Sequence, residues 1–408
     1  MAEPKVRFRQ NDGSKYPSWN EIMLGDIATR VTRKNSQNET DRPLTIASIE
    51  GLVDQRTYFS KTIASKDMSG YFLLKRGEFA YNKSYSVGYD YGSIKRLDKY
   101  DMGALSTLYI CFALNEDENS NFYNCYFNGL SWYNQMLDIC AEGARNHGLL
   151  NVSPNDFFKI KLSVPASREE QQKIVDFFAA IDEVISASDA EVQNLELQKK
   201  VAMKKIFSKE VRFTRRDGSN FPEWENVRFG DVFTEIARKT SDTETYPLFS
   251  LTIEDGVTAK TERYERSYLV KKTEDNYKIV PPNAFVYNPM NLRFGALAPS
   301  HEDKEVCVSQ YYNVFSINDE TTLGFWESYL VTDEMLKFYF SIATGSLVEK
   351  LRVHYSNFVN IVKPIPCAEE QRLIADFLSD FDEAIAAAKR ELELWKELKK
   401  GLLQQMFI

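Results

Sequence analysis

Glu169-Glu170-Gln171, then Ile174, Asp176-Phe177, Asp182-Glu183 and Ile185, returns 200 positions later as Glu369-Glu370-Gln371, Ile374, Asp376-Phe377, Asp382-Glu383 and Ile385. Each copy opens a long segment, 167–208 and 367–408, with apolar residues at three- and four-residue steps. In the first they are Ile174, Phe177, Ile181, Val184, Ser188, Val192, Leu195, Ala202 and Ile206. In the second they are Ile374, Phe377, Phe381, Ala384, Ala388, Leu392, Trp395, Leu398 and Leu402. That periodicity predicts two long helices carrying a coiled-coil seam. Ser167-x-x-Glu170, just after Pro165, reads as a capping box at the first start; Cys367 stands in that place in the second, so its cap should be weaker. About forty residues of helix extend roughly 60 Å at about 1.5 Å per residue, and an apolar stripe of that length has to be covered. Two helices of equal length and stripe cover each other best as an antiparallel pair; the alternative is that each packs on its own neighbouring domain.

The segments before the helices also begin alike. Val6-Arg7-Phe8, Asp12-Gly13-Ser14, Pro17, Trp19 and Gly25-Asp26 match Val211-Arg212-Phe213, Asp217-Gly218-Ser219, Pro222, Trp224 and Gly230-Asp231. Between these openings and the helices the two halves hardly correspond. Aromatic and β-branched runs such as Ser106 to Phe112 and Tyr311 to Ile317 predict short strands, with helical stretches such as Trp326 to Phe340 between them. The expected fold is α+β with a pseudo-twofold internal repeat: two mixed α/β domains, 1–164 and 211–364, separated by two long antiparallel helices, 165–210 and 365–408. Two similar frames thus hold two different interiors.

Composition narrows the function. A chain of 408 residues suits two to four domains, and 43% hydrophobic with 27% charged residues is an ordinary globular balance. No apolar run of about 18 residues occurs and Met1-Ala2-Glu3-Pro4-Lys5 has no signal-like core, so a cytoplasmic protein with no membrane partner is expected. The five cysteines are far apart with no Cys-x-x-Cys, and the three histidines are scattered, so no metal site is expected. The net charge of −8 argues against a simple basic nucleic-acid binder. No P-loop for ATP is present. Asn288-Pro289-Met290-Asn291 approaches the Asn-Pro-Pro-aromatic element of amino-methyltransferases but lacks the second proline and the aromatic residue, and no glycine-rich donor loop accompanies it. No catalytic residue is assigned, and the chain is expected not to be an enzyme by itself.

In its twofold layout, its paired openings, the Val164-Pro165…Glu169-Glu170-Gln171 and Ile365-Pro366…Glu369-Glu370-Gln371 helix starts, and the Lys199-Lys200…Ile206-Phe207 and Lys399-Lys400…Met406-Phe407 ends, the chain resembles the specificity (S) subunit of type I restriction–modification systems. The resemblance runs over essentially the whole length. It implies that each mixed segment is a target-recognition domain reading one half of a split double-stranded DNA sequence, with the helices fixing the gap. It also implies two methyltransferase (M) subunits and two ATP-dependent motor–nuclease (R) subunits as partners. The assembled complex would methylate adenine N6 and cut DNA, with S-adenosylmethionine, ATP and Mg belonging to those partners and no cofactor to this chain. A two-headed protein–protein scaffold without DNA readout is the competing expectation.

Sequence readout needs donors and acceptors at base edges and cations on phosphates. Phe79-x-Tyr81-Asn82 and Phe285-x-Tyr287-Asn288 share a scaffold and then diverge, which marks Asn82, Lys83, Ser84 and Tyr85, on to Lys95 and Arg96, and likewise Asn288 and Arg293, as candidate DNA contacts. A turn whose asparagine caps backbone groups is the plainer reading. Segments with basic groups after a glycine, before each helix, add Arg145 and the neighbouring Asn146 in one half, and Lys350 and Arg352 in the other. Lys199-Lys200 and Lys399-Lys400 either complement a helix dipole or face DNA or a partner.

Overall fold

The computed structural model describes residues 3–47, 50–59, 64–84, 86, 88–140, 150–259, 277–347 and 350–408. The chain forms two compact units, Met1–Asp189 with Arg390–Ile408, and Ala190–Lys389. The predicted long helices are present as Arg168–Phe207 and Ala368–Met406. Each unit therefore holds the first part of one helix and the last part of the other.

Both units are built on the same four-stranded antiparallel sheet. In the first, the strand order is Ala28–Arg30, Ile110–Leu114, Phe79–Asn82, Ser93–Arg96. In the second it is Phe233–Glu235, Asn313–Ile317, Phe285–Tyr287, Leu297–Pro299. Side chains alternate across these strands, so each sheet has two apolar faces. Phe79, Tyr81, Ile110 and Phe112 point into the larger core, while Ala80 and Cys111 point into a smaller one with Leu44, Leu52 and Leu74. The second unit repeats the division, with Phe285, Tyr287 and Phe315 on one side and Val286 and Val314 on the other. Stacked rings register the central pair, Phe79 on Phe112 at 5.2 Å and Phe285 on Phe315 at 5.3 Å between centroids.

The large core of each unit is closed by both helices. In the first, Ile174, Phe178 and Ile181 meet Leu403, Met406 and Phe407; in the second, Ile374 and Leu378 meet Ile206 and Phe207. Ascending residues of one helix face descending residues of the other, so the pairing inside each unit is antiparallel. Ion pairs flank it with the same 200-residue offset: Lys399 Nζ to Asp182 Oδ1 at 2.5 Å in the first unit, Lys199 Nζ to Asp382 Oδ1 at 2.5 Å in the second. These two lysines are thus engaged with the opposite helix rather than with their own helix end.

Three expectations are corrected. The predicted seam residues Ile174, Ile181, Ser188, Val192, Ile206, Ile374 and Leu392 are buried, but Phe178, Leu378 and Ile385 are buried in place of the predicted Phe177, Phe377 and Ala384, and Val184 is exposed. Phe177 and Phe377 instead meet the chain openings, edge-on to Phe8 and Phe213 at 5.6 and 5.5 Å. The Trp326 to Phe340 helix is two helices, Leu323–Tyr329 and Asp333–Ile342, because the Thr332 hydroxyl accepts from the Met335 amide at 3.3 Å and starts a new one. The strands predicted from Ser106 and Tyr311 begin only at Ile110 and Asn313; the residues before them form turns.

The capping box is also only half made. Ser167 Oγ accepts from the Glu170 amide at 3.4 Å, but the Glu170 carboxylate points into the protein and is fully buried. It takes Arg7 Nε at 2.7 Å and Nη2 at 2.9 Å, and Trp19 Nε1 at 3.3 Å. Glu370 does the same with Arg212, at 3.3 and 2.9 Å, and with Trp224 at 3.2 Å. Gln171 and Gln371 then donate to the carbonyls of Pro165 and Pro366. The strands beside these contacts pair Asn20–Met23 with Lys161–Val164 and Glu225–Arg228 with Val362–Ile365.

Removing one partner of a buried pair strands the other charge, which costs about 3–5 kcal/mol, whereas an exposed pair contributes under about 1 kcal/mol. Glu170→Ala or Glu370→Ala is expected to lower stability by roughly 3 kcal/mol, and Lys399→Ala by less than about 1 kcal/mol. Urea midpoints of the three variants check this. Equal small shifts would show that the buried carboxylates do not hold the frame.

Candidate nucleic-acid interface

Strand register decides which loops lie together. In the first unit Tyr81 pairs with Ile110 and Asn82 with Ser93, so the loop 83–92 and the turn 106–109 leave the same end of the sheet. In the second, Tyr287 pairs with both Asn313 and Leu297, which puts residues 288–296 and the turn 309–312 at the corresponding end. A third segment is tied there in each unit: the Leu150 amide donates to the Lys83 carbonyl at 2.9 Å, and the Val353 amide to the Pro289 carbonyl at 3.0 Å. Tyr287 Oη adds a bond to the Val353 carbonyl at 3.2 Å. In the second half the two segments singled out in the sequence, at 288–293 and 350–352, thus meet at one sheet end; in the first, Leu150 is tied to the loop there.

The geometry sorts the individual residues. Asn82 and Asn288 both form Asx turns, their side-chain oxygens accepting from the Ser84 and Met290 amides at 3.0 Å. The plainer role proposed for them is thus the one observed. Lys83 and Ser84 are half-buried in the loop base, and Gly92 closes it with φ +80°. A Cβ on Gly92 would lie 2.0 Å from the Asn82 carbonyl oxygen, so no other residue closes this loop as it stands. Arg293 lies over the rings of Phe294 and Phe340, at 4.6 and 5.7 Å. Lys350 and Arg352 are exposed, and Arg352 bridges to Thr344 through the backbone. Tyr85, Arg145 and Asn146 lie outside the described residues.

Lys95 and Arg96 have partners within the unit. Lys95 is only 8% exposed; its ammonium donates to Asn128 Oδ1 at 2.7 Å and lies 5.7 Å from the centre of the Tyr89 ring. Arg96 bonds Asp98 at 2.7 Å, Ser120 at 3.0 Å and Asn121 at 2.9 Å. Register places both back from the sheet end, opposite Ala80 and Phe79, which charge type alone does not reveal. The converse omission is instructive. Leu108 and Tyr311 stand on the two turns, 59% and 78% exposed, where a strand with alternating burial was expected. The serine before each turn was the available signal.

Among the described residues no cluster of three or more His, Cys, Asp or Glu side chains is arranged to hold a metal, and no helix is long and apolar enough to cross a membrane. Burial pushes the thiols of Cys111, Cys125 and Cys307 up, to about 12, 11 and 11, the opposite of what a reactive cysteine needs.

The family model for the type I restriction modification DNA specificity domain matches the chain twice, over residues 18–197 and 222–394. The type I restriction enzyme MjaVIII specificity subunit of Methanocaldococcus jannaschii is 26% identical over 213 residues, 49% of this chain and 46% of that protein. The putative type I restriction enzyme MjaX specificity subunit of the same organism is 25% identical over 214 residues, 49% of each. The chain spans about half the length of these curated relatives. Among solved structures, a chain from work on complex assembly and conformational transition of the type I R-M system is similar with a TM-score of 0.56 and 16% identity, over 95% of this chain and 97% of that one. The S subunit of a type I restriction–modification system from M. genitalium gives a TM-score of 0.50 and 11% identity, over 100% and 99%. At such identities these likenesses speak to the fold alone.

Lys95 has a measurable consequence. Burial, and behind it the like charge of Lys399, pushes its ammonium down to about 8. The unfolded chain keeps that proton to about pH 10, so between about pH 8 and 10 it binds more protons than the folded protein and stability rises with pH. In protein labelled at lysine Cε, one carbon resonance should titrate near pH 8 and vanish in Lys95→Met. A full set of lysines titrating near the ordinary value would refute the burial.

Proposed function

The chain belongs to the type I restriction modification DNA specificity family, and from that premise we propose that it is the sequence-reading subunit of a type I restriction–modification complex. Residues 1–164 and 211–364 are its two target-recognition domains, and the helical segments 165–210 and 365–408 its spacer. Each domain reads one half of a bipartite double-stranded DNA target with its convergent sheet end. The observation that carries this is the repeat itself. Two sheets of one order expose, at one end, loops that open alike at Asn82 and Asn288 and then diverge, Lys83-Ser84 in one and Pro289-Met290 in the other.

That arrangement suits readout. The Asx turns and the Leu150 and Val353 ties hold the bases of the loops before DNA arrives, so less ordering entropy is lost there on binding. Base edges are then met by side chains that differ between the units, while Lys350 and Arg352 supply positive charge for phosphates. Lys83, Ser84, Tyr85, Arg145, Asn146 and Arg293 remain proposed contributors on the same segments. Asn82, Asn288, Lys95 and Arg96 also hold the frame through the bonds described above, and stay among the proposed contributors.

The chain itself is non-catalytic in this proposal. Two methyltransferase subunits that use S-adenosylmethionine to modify adenine N6, and two ATP- and Mg-dependent motor–nuclease subunits, supply the chemistry and dock on it inside the cell.

Exchanging residues 28–160 for the corresponding interior of another family member is expected to change one half of the methylated sequence and leave the other half and the gap unchanged. Methylome sequencing of a host carrying the exchanged gene with its partners checks this; an unaltered site defeats the proposal. The assembled complex should also lose DNA affinity steeply with added salt through counterion release. A flat salt dependence in a filter-binding or anisotropy titration would favour protein rather than DNA as the ligand.

A further inference from the structure

The turns that precede the central strands are built alike in the two units. The Tyr109 amide donates to the Ser106 carbonyl at 3.2 Å, and the Tyr312 amide to the Ser309 carbonyl at 3.0 Å. The Leu108 and Tyr311 amides each donate to the serine hydroxyl at 3.4 Å. At the tip stands a large side chain, Leu108 at 59% and Tyr311 at 78% exposure. One exposed leucine or tyrosine is unremarkable on a protein surface. The same turn position exposing a large side chain in both repeats, beside the divergent loops, is a different observation. The backbone is shared, the tip residue is not, and polar residues, Thr107 and Gln310, precede it.

The chemistry of a duplex gives these tips a use. In the major groove only thymine presents a methyl group, and it is met by apolar side chains rather than by hydrogen bonds. Leucine has no donor or acceptor, so it distinguishes thymine from cytosine by that methyl alone. Tyrosine offers the ring face for the same methyl and adds a hydroxyl that both donates and accepts. With the two units taken as DNA readers, as proposed above, we infer that Leu108 and Tyr311 are specificity-determining residues. Each contacts a thymine methyl at one position of its own half-site.

The assembled complex with its methyltransferase subunits tests this on its own target once the methylome has supplied the sequence. Each thymine of the target is replaced in turn by deoxyuridine, which removes only the methyl group. The wild-type complex is expected to lose roughly fourfold in affinity at one position in each half. Leu108→Ala should lose a similar factor on unmodified DNA, show no further loss with deoxyuridine in the half read by the first unit, and keep the wild-type response in the other half. Tyr311→Ala should do the reverse. Both side chains are exposed, so neither truncation touches a core, and an unchanged urea midpoint verifies that.

Additive losses from variant and deoxyuridine at every position would overturn the inference, as would binding unchanged in both variants. The domain exchange separates the two levels. If exchanging 28–160 alters one half-site while Leu108→Ala leaves affinity and selectivity intact, the domains read DNA and the turn is a bystander. If the exchange alters nothing, the DNA-reading proposal itself fails.

Discussion

A carboxylate buried without exposure to water, bonded to an arginine and a tryptophan from the chain opening, holds each repeat together. Glu170 and Glu370 sit at the first turn of their helices, where an exposed glutamate would ordinarily turn back on its own backbone. Taking such a charge out of water costs several kcal/mol, offset here by a two-pronged guanidinium bond and an indole N–H. The return is geometric specificity. Only one placement of the opening segment brings Arg7 and Trp19, or Arg212 and Trp224, to the carboxylate. Arg7 and Arg212 also reach the carbonyls of Pro17 and Pro222, which locks the opening in its bend.

The same contacts gather the entry and exit of each mixed domain at one place. Asn20–Met23 pairs with the strand that leads into the first helix, and Glu225–Arg228 with the strand that leads into the second. An interior that enters and leaves through adjacent strands can change its loops without disturbing what lies outside. This accounts physically for a chain whose openings and helices repeat while its interiors drift. The helix ends obey the frame as well. The Val211 amide bonds the Lys205 carbonyl at 3.1 Å across a short stretch of chain, and the Val6 amide makes the equivalent bond to Gln405 at the same distance.

Much of this was legible in residue order. The echoes at Glu169 and Glu369 marked the frame, and the three- and four-step apolar spacing gave both helices to within two residues of their observed ends. The seam went astray by one position because Phe177 and Phe178 are equally apolar, and only the opening segment decides which of them faces Phe8. The turn residues 106–109 and 311–312 read as strand because Leu, Tyr and Ile look the same to a period-two pattern whether it is paired or exposed. Lys95 and Arg96 looked like surface cations; their burial and partners come from Asn128, Ser120 and Asn121 on the neighbouring helix, a tertiary fact with no local trace. Convergence of the loops with Leu150 and Val353 is of the same kind, since register sets it and single residues do not.

Charge bears on how such a frame would hold DNA. Many of its guanidinium groups are committed to its own carboxylates: Arg7 to Glu170, Arg33 to Glu78, Arg56 to Asp54, Arg76 to Asp101, Arg96 to Asp98, Arg212 to Glu370 and Arg238 to Glu305. Where the pair is buried, as at Arg7 and Arg212, the arginine has to give up a charge-assisted bond before it grips a phosphate; an exposed pair such as Arg76 with Asp101 gives way at under about 1 kcal/mol. With a net charge of −8 the long-range field opposes a polyanion as well. In the proposed reading, a chain so arranged contributes discrimination more readily than affinity: exposed tips tell bases apart, while the net negative field opposes the phosphate attraction that drives counterion release. In the proposed complex, then, phosphate attraction falls mainly to the docked subunits. The two sheet ends contribute the difference in energy between one sequence and another, which is all that selectivity requires.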